Sequence, residues 1–293
     1  MTATPSFKPA RTLLFVPGNR ESWIDKIPGY TSDCVIIDLE DSVPAHMKDM
    51  ARQLVRSKIA GLAAAGVRVF VRINKDEGGY SVDDVRACAV PGLEGLVLPK
   101  PEGPEDVRSA ALMLDAAERD AGIAQAASLI PTLESARSLH FAYECAMESR
   151  VVAVFGAIAK NADVARSVGF RLTPGGLETL YLRSRVVLAA RAAGKQPLGG
   201  LWQTVHDLQG LREFATFNRN LGMTGEMILH PSNADIVNEV YSPSAQEISY
   251  FEGMITAFEA GVAQGRASVM YEGEHIDLAH VQTARAMIAM NRK

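Results

Sequence analysis

Short apolar runs recur along the chain with helix-like sequence between them, and this alternation constrains the fold more than any other feature. The clearest are Thr12–Gly18 (TLLFVPG), Cys34–Glu40 (CVIIDLE), Val67–Asn74 (VRVFVRIN), Leu93–Lys100 (LEGLVLPK), Ser128–Glu134 (SLIPTLE) and Val151–Ala157 (VVAVFGA). Pro197–Trp202 (PLGGLW) and Glu226–Ser232 (EMILHPS) are weaker and bring the count to eight. Runs that are apolar at nearly every position suit strands buried on both faces, as in a parallel sheet. Between them Ala45–Ala65, Pro104–Ala121, Ser135–Ser149, Leu177–Ala193 and Leu208–Asn220 read as helices. Eight strands alternating with helices predict an α/β fold, a TIM (β/α)8 barrel rather than a doubly wound sheet. No G-x-G-x-x-G follows the first run, which also weighs against a dinucleotide-binding sheet. The barrel is placed at residues 1–243. After Pro243 come a helix-like Ala245–Ala263, a short polar turn and a helix from about Leu278, read as a C-terminal helical extension or lid over 244–293.

Composition narrows the function classes. The 293 residues are 47% apolar and 22% charged, with a net charge of −4 and no Lys/Arg run. Neither nucleic acid nor a membrane surface is expected as the main partner. No apolar run approaches the roughly 20 residues that span a bilayer. Cys34, Cys88 and Cys145 are far apart and odd in number, which fits buried thiols in a reducing compartment. The polar, Pro-containing stretch Met1–Ala10 lacks the apolar core of a signal peptide, so a cytoplasmic location is expected.

In a parallel barrel, chemistry sits at the C-terminal ends of the strands. Those ends carry Glu40–Asp41, Arg72–Asn74, Lys100, Glu134 and His230. Any one of them could be a solvated loop charge; together they mark a candidate site. Acids without a Cys/His cluster point to a hard cation such as Mg²⁺, which takes one or two carboxylates and leaves room for water and substrate oxygens. Glu134 ends the fifth run and Asp163 follows the sixth, so in a barrel the two are placed to share an ion. An alternative for Glu134 is an acid favoured by the dipole of the next helix. Arg72 offers a planar fork matched to a carboxylate.

Longer motifs add a resemblance. Arg11-Thr-Leu-Leu-Phe-Val-Pro-Gly-Asn19, Lys26 and Asp38-Leu-Glu-Asp-Ser-Val-Pro44, with Lys48, Ala51 and Arg52, resemble the citrate lyase β-subunit-like family. That family includes malyl-CoA and citramalyl-CoA lyases of the pyruvate/phosphoenolpyruvate barrel superfamily. The likeness continues through Val71–Asn74, Leu98–Lys100, Thr132–Glu134, Phe155-Gly156, Gly222–Glu226 and His230-Pro231 to Asn238 and Pro243.

The resemblance implies a Mg²⁺-dependent carbon–carbon lyase whose substrates are an acyl-CoA thioester and a 2-oxo acid. It implies that Arg72 holds the substrate carboxylate and that Glu134 ligates the metal. Glu40 and Asp41 would lie near substrate and metal waters. Phe15, Arg20 and Lys26 match contacts to the nucleotide of coenzyme A; as plain residues they are strand core, a loop charge and a helix charge. The second metal ligand departs from the family's Gly-x-x-Asp. Counting from Gly156 puts Ala159 there, whereas counting back from Gly169 selects Asp163, and an insertion carrying Lys160 and Asn161 reconciles the two. His275-Ile-Asp277 resembles a segment that delivers an acid to a neighbouring subunit, making Asp277 the acid/base on the acyl-CoA carbon and the protein a homo-oligomer, a trimer or larger. Asp277 is equally a helix N-cap. Two other readings stay open: an aldolase-type lyase on free hydroxy acids, and a non-catalytic or partner-dependent subunit.

Overall fold

The computed structural model describes residues 7–156, 158–173 and 175–291. They fall into two compact units, Met1–Asn238 and Glu239–Lys293.

Each of the eight runs forms a strand of the first unit: β1 Thr12–Pro17, β2 Cys34–Asp38, β3 Val69–Arg72, β4 Leu93–Leu98, β5 Ser128–Leu133, β6 Ala153–Gly156, β7 Gln196–Leu198 and β8 Glu226–Ile228. All neighbouring pairs are parallel, and β8 lies beside β1. A bridge between Gly199 and Glu226 closes the ring, with Gly199 N–H donating to Gly225 O at 2.9 Å and Met227 N–H to Gly199 O at 2.9 Å. This is the expected TIM barrel.

The near-continuous hydrophobicity of the strands has a simple cause. Side chains alternate between faces along a strand, and here both faces are covered. Leu13, Ile36, Phe70, Val97, Ile130, Phe155, Leu198 and Met227 pack together in one cluster that draws on every strand. The alternate residues Leu14, Val35, Ile37, Val69, Val71 and Leu129 are also fully or almost fully buried. A methyl group at Gly95 would come within 2.5 Å of Ser128 O and 2.8 Å of the Phe70 ring, so only glycine admits that ring.

The long helices lie near their expected positions: Lys48–Ala64, Pro104–Asp120, Leu180–Ala192 and Leu208–Leu221. One expectation needs correction. Ser135–Ser149 is not a single helix but two, Ala136–His140 and Ala142–Ala146, meeting at Phe141. Phe141 departs from helical geometry (φ −95°, ψ 26°), and its ring takes the Arg137 guanidinium at 4.9 Å.

The second unit holds the helices Ala245–Ala263 and Leu278–Asn291, packed on Met254, Phe258, Ile276, Val281 and Ala284. The polar turn expected between them is instead an antiparallel hairpin, β9 Ser268–Tyr271 with β10 Glu274–Asp277. Its two-residue turn, Glu272-Gly273, has both φ values positive (47° and 86°), the geometry that matches strand twist. Strands of only four residues each, SVMY and EHID, are too short for hydrophobic periodicity to disclose. Among the described residues no helix is long and apolar enough to cross a membrane.

Candidate functional site

The inward register of the strands, carried past their hydrophobic portions, lines the C-terminal mouth with polar groups. Phe15 follows Leu13 by two residues, Asp38 follows Ile36, Arg72 follows Phe70 and Thr132 follows Ile130. Asp38 is almost fully buried and grips Arg72 along one edge of its fork, Nε to Oδ1 and Nη2 to Oδ2, both 2.7 Å. Arg72 Nη1 lies 2.9 Å from Glu40 Oε2. Beneath the guanidinium is the Phe15 ring, with Cζ 4.9 Å from its centroid. Burial alone would raise the Asp38 carboxyl, but its hydrogen bonds from Arg72, Ser42 and Glu40 hold it below its ordinary value. Arg72, although half-buried, is held firmly protonated by Asp38, Glu40 and Glu134. The Nε–Nη2 edge and the face of the fork are thus fixed, while its Nη1 end stands against Glu40.

Glu40, 7% exposed, is shared: Oε1 is 2.7 Å from Lys100 Nζ. The Lys100 ammonium also stands 3.3 Å from Asp41 Oδ2 and 3.5 Å from Asp163 Oδ2. These acids outweigh its partial burial and keep it protonated. Glu134 accepts from the Thr132 hydroxyl at 2.5 Å. Burial pushes its carboxyl up to about 7, against the opposing pull of Thr132, Arg72 and Lys100. Asp163 begins a short helix, Asp163–Val168, and is also paired with Arg166. Ala159, the competing position, is a buried methyl with no donor atom. Lys160 is exposed, and its N–H donates to Gln203 Oε1 at 2.7 Å.

The ends of β2 and β3 are stapled from behind. Lys48 Nζ donates to Leu39 O (2.7 Å), Glu40 O (2.6 Å) and Asn74 Oδ1 (2.6 Å). Asp84 accepts from Asn74 N–H at 2.8 Å and its side-chain amide at 2.6 Å, and is itself held by Arg52 at 2.8 Å. At Gly18, just past β1, a Cβ would sit 2.7 Å from Asp38 O, so glycine is required where the chain leaving β1 passes the last residue of β2.

A cavity of about 430 Å³ opens beside this cluster. Arg72, Asp38 and Phe15 form one part of its lining, Trp23, Lys26 and Tyr30 another, and Leu201, Leu229 and His230 a third. Trp23 is 51% exposed although large and apolar. Of the three residues matched to coenzyme A contacts, Phe15 and Lys26 line the cavity. Arg20 is exposed at the start of the helix Glu21–Ile24 and makes no side-chain cap there.

Asp277 belongs to the second unit. Its Oδ1 accepts from Ala279 N–H at 3.0 Å and lies 2.7 Å from His280 Nδ1, so it caps the last helix. The His280 contact and the helix N–H groups hold its carboxyl below the ordinary value. The three thiols are buried and free, and burial pushes Cys34 and Cys145 up to about 12.

Sequence reasoning singled out Arg72 but not its partner Asp38, nor Thr132, nor the Lys48 staple. Asp38 and Thr132 were accessible through register, since each is two residues beyond an inward-facing core residue. Lys48 carries no such signal, because its role depends on where a helix start lies against two strand ends.

The model of the HpcH/HpaI aldolase/citrate lyase family matches residues 11–231. The chain belongs to that family. Among curated relatives it is 33% identical to a citrate lyase subunit beta-like protein of Deinococcus radiodurans, over 99% of both chains. It is 30% identical to a (3S)-malyl-CoA thioesterase of Cereibacter sphaeroides, over 96% of this chain and 94% of that one. Among solved structures it resembles the citrate lyase beta subunit of M. tuberculosis complexed with oxaloacetate and magnesium. That match has a TM-score of 0.67 and 26% identity, covering 80% of this chain and 98% of the other.

Proposed function

We propose that the protein is a Mg²⁺-dependent carbon–carbon lyase that splits a 3-hydroxyacyl-CoA, such as malyl-CoA or citramalyl-CoA, into an acyl-CoA and a 2-oxo acid, or joins them. The observation that carries this reading is the barrel mouth itself: an arginine fork pinned by Asp38 beside the half-buried carboxylate Glu134.

The donor set suits a hard cation. Partial burial raises the Glu134 carboxyl even with Arg72 and Lys100 nearby, so a further cation would favour its ionised form, and the acids near it offer only oxygen. Among the described residues no group of three His, Cys, Asp or Glu is placed to hold a metal ion between them, and Mg²⁺ needs only one or two carboxylates. Glu134 and Asp163 are proposed as its ligands. When bound, the ion supplies Lewis-acid stabilisation of charge developing on substrate oxygen.

The chain's own groups do the rest. The outer edge of Arg72 binds the carboxylate of the 2-oxo acid unit and, already fixed by Asp38 and Phe15, needs no reorganisation as charge develops. Glu40 and Asp41 order water and substrate hydroxyls beside Lys100. Phe15, Lys26 and Arg20 hold the nucleotide portion of coenzyme A, with Lys26 and Arg20 supplying charge for its phosphates. Asp277, from a second copy of the chain, protonates the acyl-CoA enolate carbon in cleavage and removes that proton in condensation.

The direct test is a mass-spectrometric screen of acyl-CoA plus 2-oxo acid condensation and of 3-hydroxyacyl-CoA cleavage, each with Mg²⁺. Asp277→Asn separates the two roles of that residue, because asparagine still caps a helix but transfers no proton. Its expected result is a loss of cleavage of about 100-fold or more with an unchanged melting temperature; unchanged turnover would return Asp277 to capping alone. Replacing Arg20 and Lys26 by methionine is expected to raise KM for thioesters about tenfold while sparing any activity on free hydroxy acids. Thioester turnover indifferent to both changes would favour the free-acid aldolase instead. The thioesterase relative motivates a second reading, hydrolysis of the thioester, which the screen distinguishes by its products: a free hydroxy acid and coenzyme A in place of acyl-CoA and 2-oxo acid.

A further inference from the structure

We propose that Lys100 is a positioning residue that gathers the acids of the barrel mouth into a magnesium-binding arrangement; the inference rests on the metal-dependent reading above. One ammonium reaches Glu40 at 2.7 Å and Asp41 at 3.3 Å, both on the loop after β2, and Asp163 at 3.5 Å on the loop after β6. No other cation among the described ion pairs joins those two loops. Glu40 in turn lies against Arg72, so Lys100 connects the loop bearing Asp163 to the fork.

The backbone around Lys100 is built for this placement. Lys100 has φ +50°, a left-handed conformation that costs a non-glycine residue energy and is kept only where the surroundings enforce it. The enforcement is visible. Lys75 Nζ donates to Lys100 O at 2.7 Å, and the Tyr80 hydroxyl donates to Pro99 O at 3.1 Å. Lys75 is anchored on Asp106 at 2.8 Å, and the same Oδ2 accepts Glu102 N–H at 2.8 Å. Lys75 and Tyr80 face each other across a small hairpin, Lys75–Asp76 against Gly79–Tyr80. That hairpin therefore braces the Pro99–Glu102 turn from beneath. An ordinary surface lysine requires neither a strained backbone nor a brace.

Two roles for such a lysine predict opposite signs. As a mere counter-charge, Lys100 repels a divalent cation, and removing it tightens Mg²⁺ binding. As a positioning residue it holds Asp163 against the strand ends, and removing it leaves that carboxylate to Arg166 and weakens Mg²⁺ binding. Groups that orient metal ligands are worth about 10- to 100-fold in affinity.

The test is calorimetric titration of MgCl₂ into the full-length protein with pyruvate present, for wild type, Lys100→Met, Lys100→Arg and Lys75→Met. The expected result is Mg²⁺ affinity about 10- to 100-fold weaker in K100M and largely restored in K100R. In cleavage assays K100M is expected to lose kcat while KM for the thioester changes less than about threefold. K75M keeps the Lys100 ammonium but removes the brace beneath it, so it is expected to weaken Mg²⁺ binding severalfold; it carries the test if K100M does not fold. Equal or tighter Mg²⁺ binding in K100M, or unchanged binding in K75M, overturns the inference while leaving the metal-dependent reading intact. A wild type that binds no Mg²⁺ overturns both.

Discussion

Replacing Arg72 by lysine is expected to lower kcat for thioester cleavage by about two to three orders of magnitude, the usual effect of losing one preorganised donor to a developing anion. Lysine keeps a positive charge against Asp38, so the fold should survive. What it loses is the planar fork: two nitrogens on Asp38 and an outer edge for the substrate cannot be supplied by one ammonium. Its weaker stacking on Phe15 adds a smaller loss. Arg72→Met is a different experiment. It leaves Asp38, almost fully buried, with no partner for its charge, and should destabilise the protein by about 3–5 kcal/mol. Steady-state kinetics beside thermal melts separates the two variants. If R72K retains kcat within a few-fold, the carboxylate-binding role of Arg72 is wrong.

Glu134→Gln should have an effect of similar size on activity and a distinctive one on stability. The amide keeps the shape and can still accept from Thr132, but it removes the charge proposed to bind Mg²⁺. Calorimetry should therefore show no magnesium binding in the variant, and added MgCl₂ should raise the melting temperature of the wild type only. Without added metal the order reverses. Because burial raises the Glu134 carboxyl to about 7, the folded protein favours its protonated form. The associated stability is complete below the ordinary carboxyl pKa and is lost as pH rises through about 7. In metal-free buffer at pH 8 the glutamine variant should thus melt higher than wild type, and the gap should close toward pH 4. Unchanged activity, or retained Mg²⁺ binding, would remove Glu134 from the metal site.

The parts of the molecule legible in the sequence share a local cause. A strand covered on both faces must be apolar at nearly every position, so the eight runs disclose themselves, and counting them gives the barrel. Arg72 and Glu134 could be picked out because strand ends in a barrel converge on one mouth whatever the loops do. The break at Phe141 and the hairpin at Glu272-Gly273 were not legible, since each occupies so few residues that periodicity has nothing to act on.

What the sequence by itself determined is therefore the architecture and the family, and it pointed to one end of the barrel as the candidate site. Each follows from residue type and spacing along the chain. What only the tertiary structure decided is how the charges at that end are distributed. It placed Asp38 on the inner edge of Arg72 and Phe15 beneath it, and the Lys48 ammonium on two carbonyls and an amide. It also brought Asp163 to Lys100 and made Asp277 a helix cap. The physical reason is that an ion pair depends on a few ångströms between atoms far apart in sequence, and the closed ring of strands sets those distances.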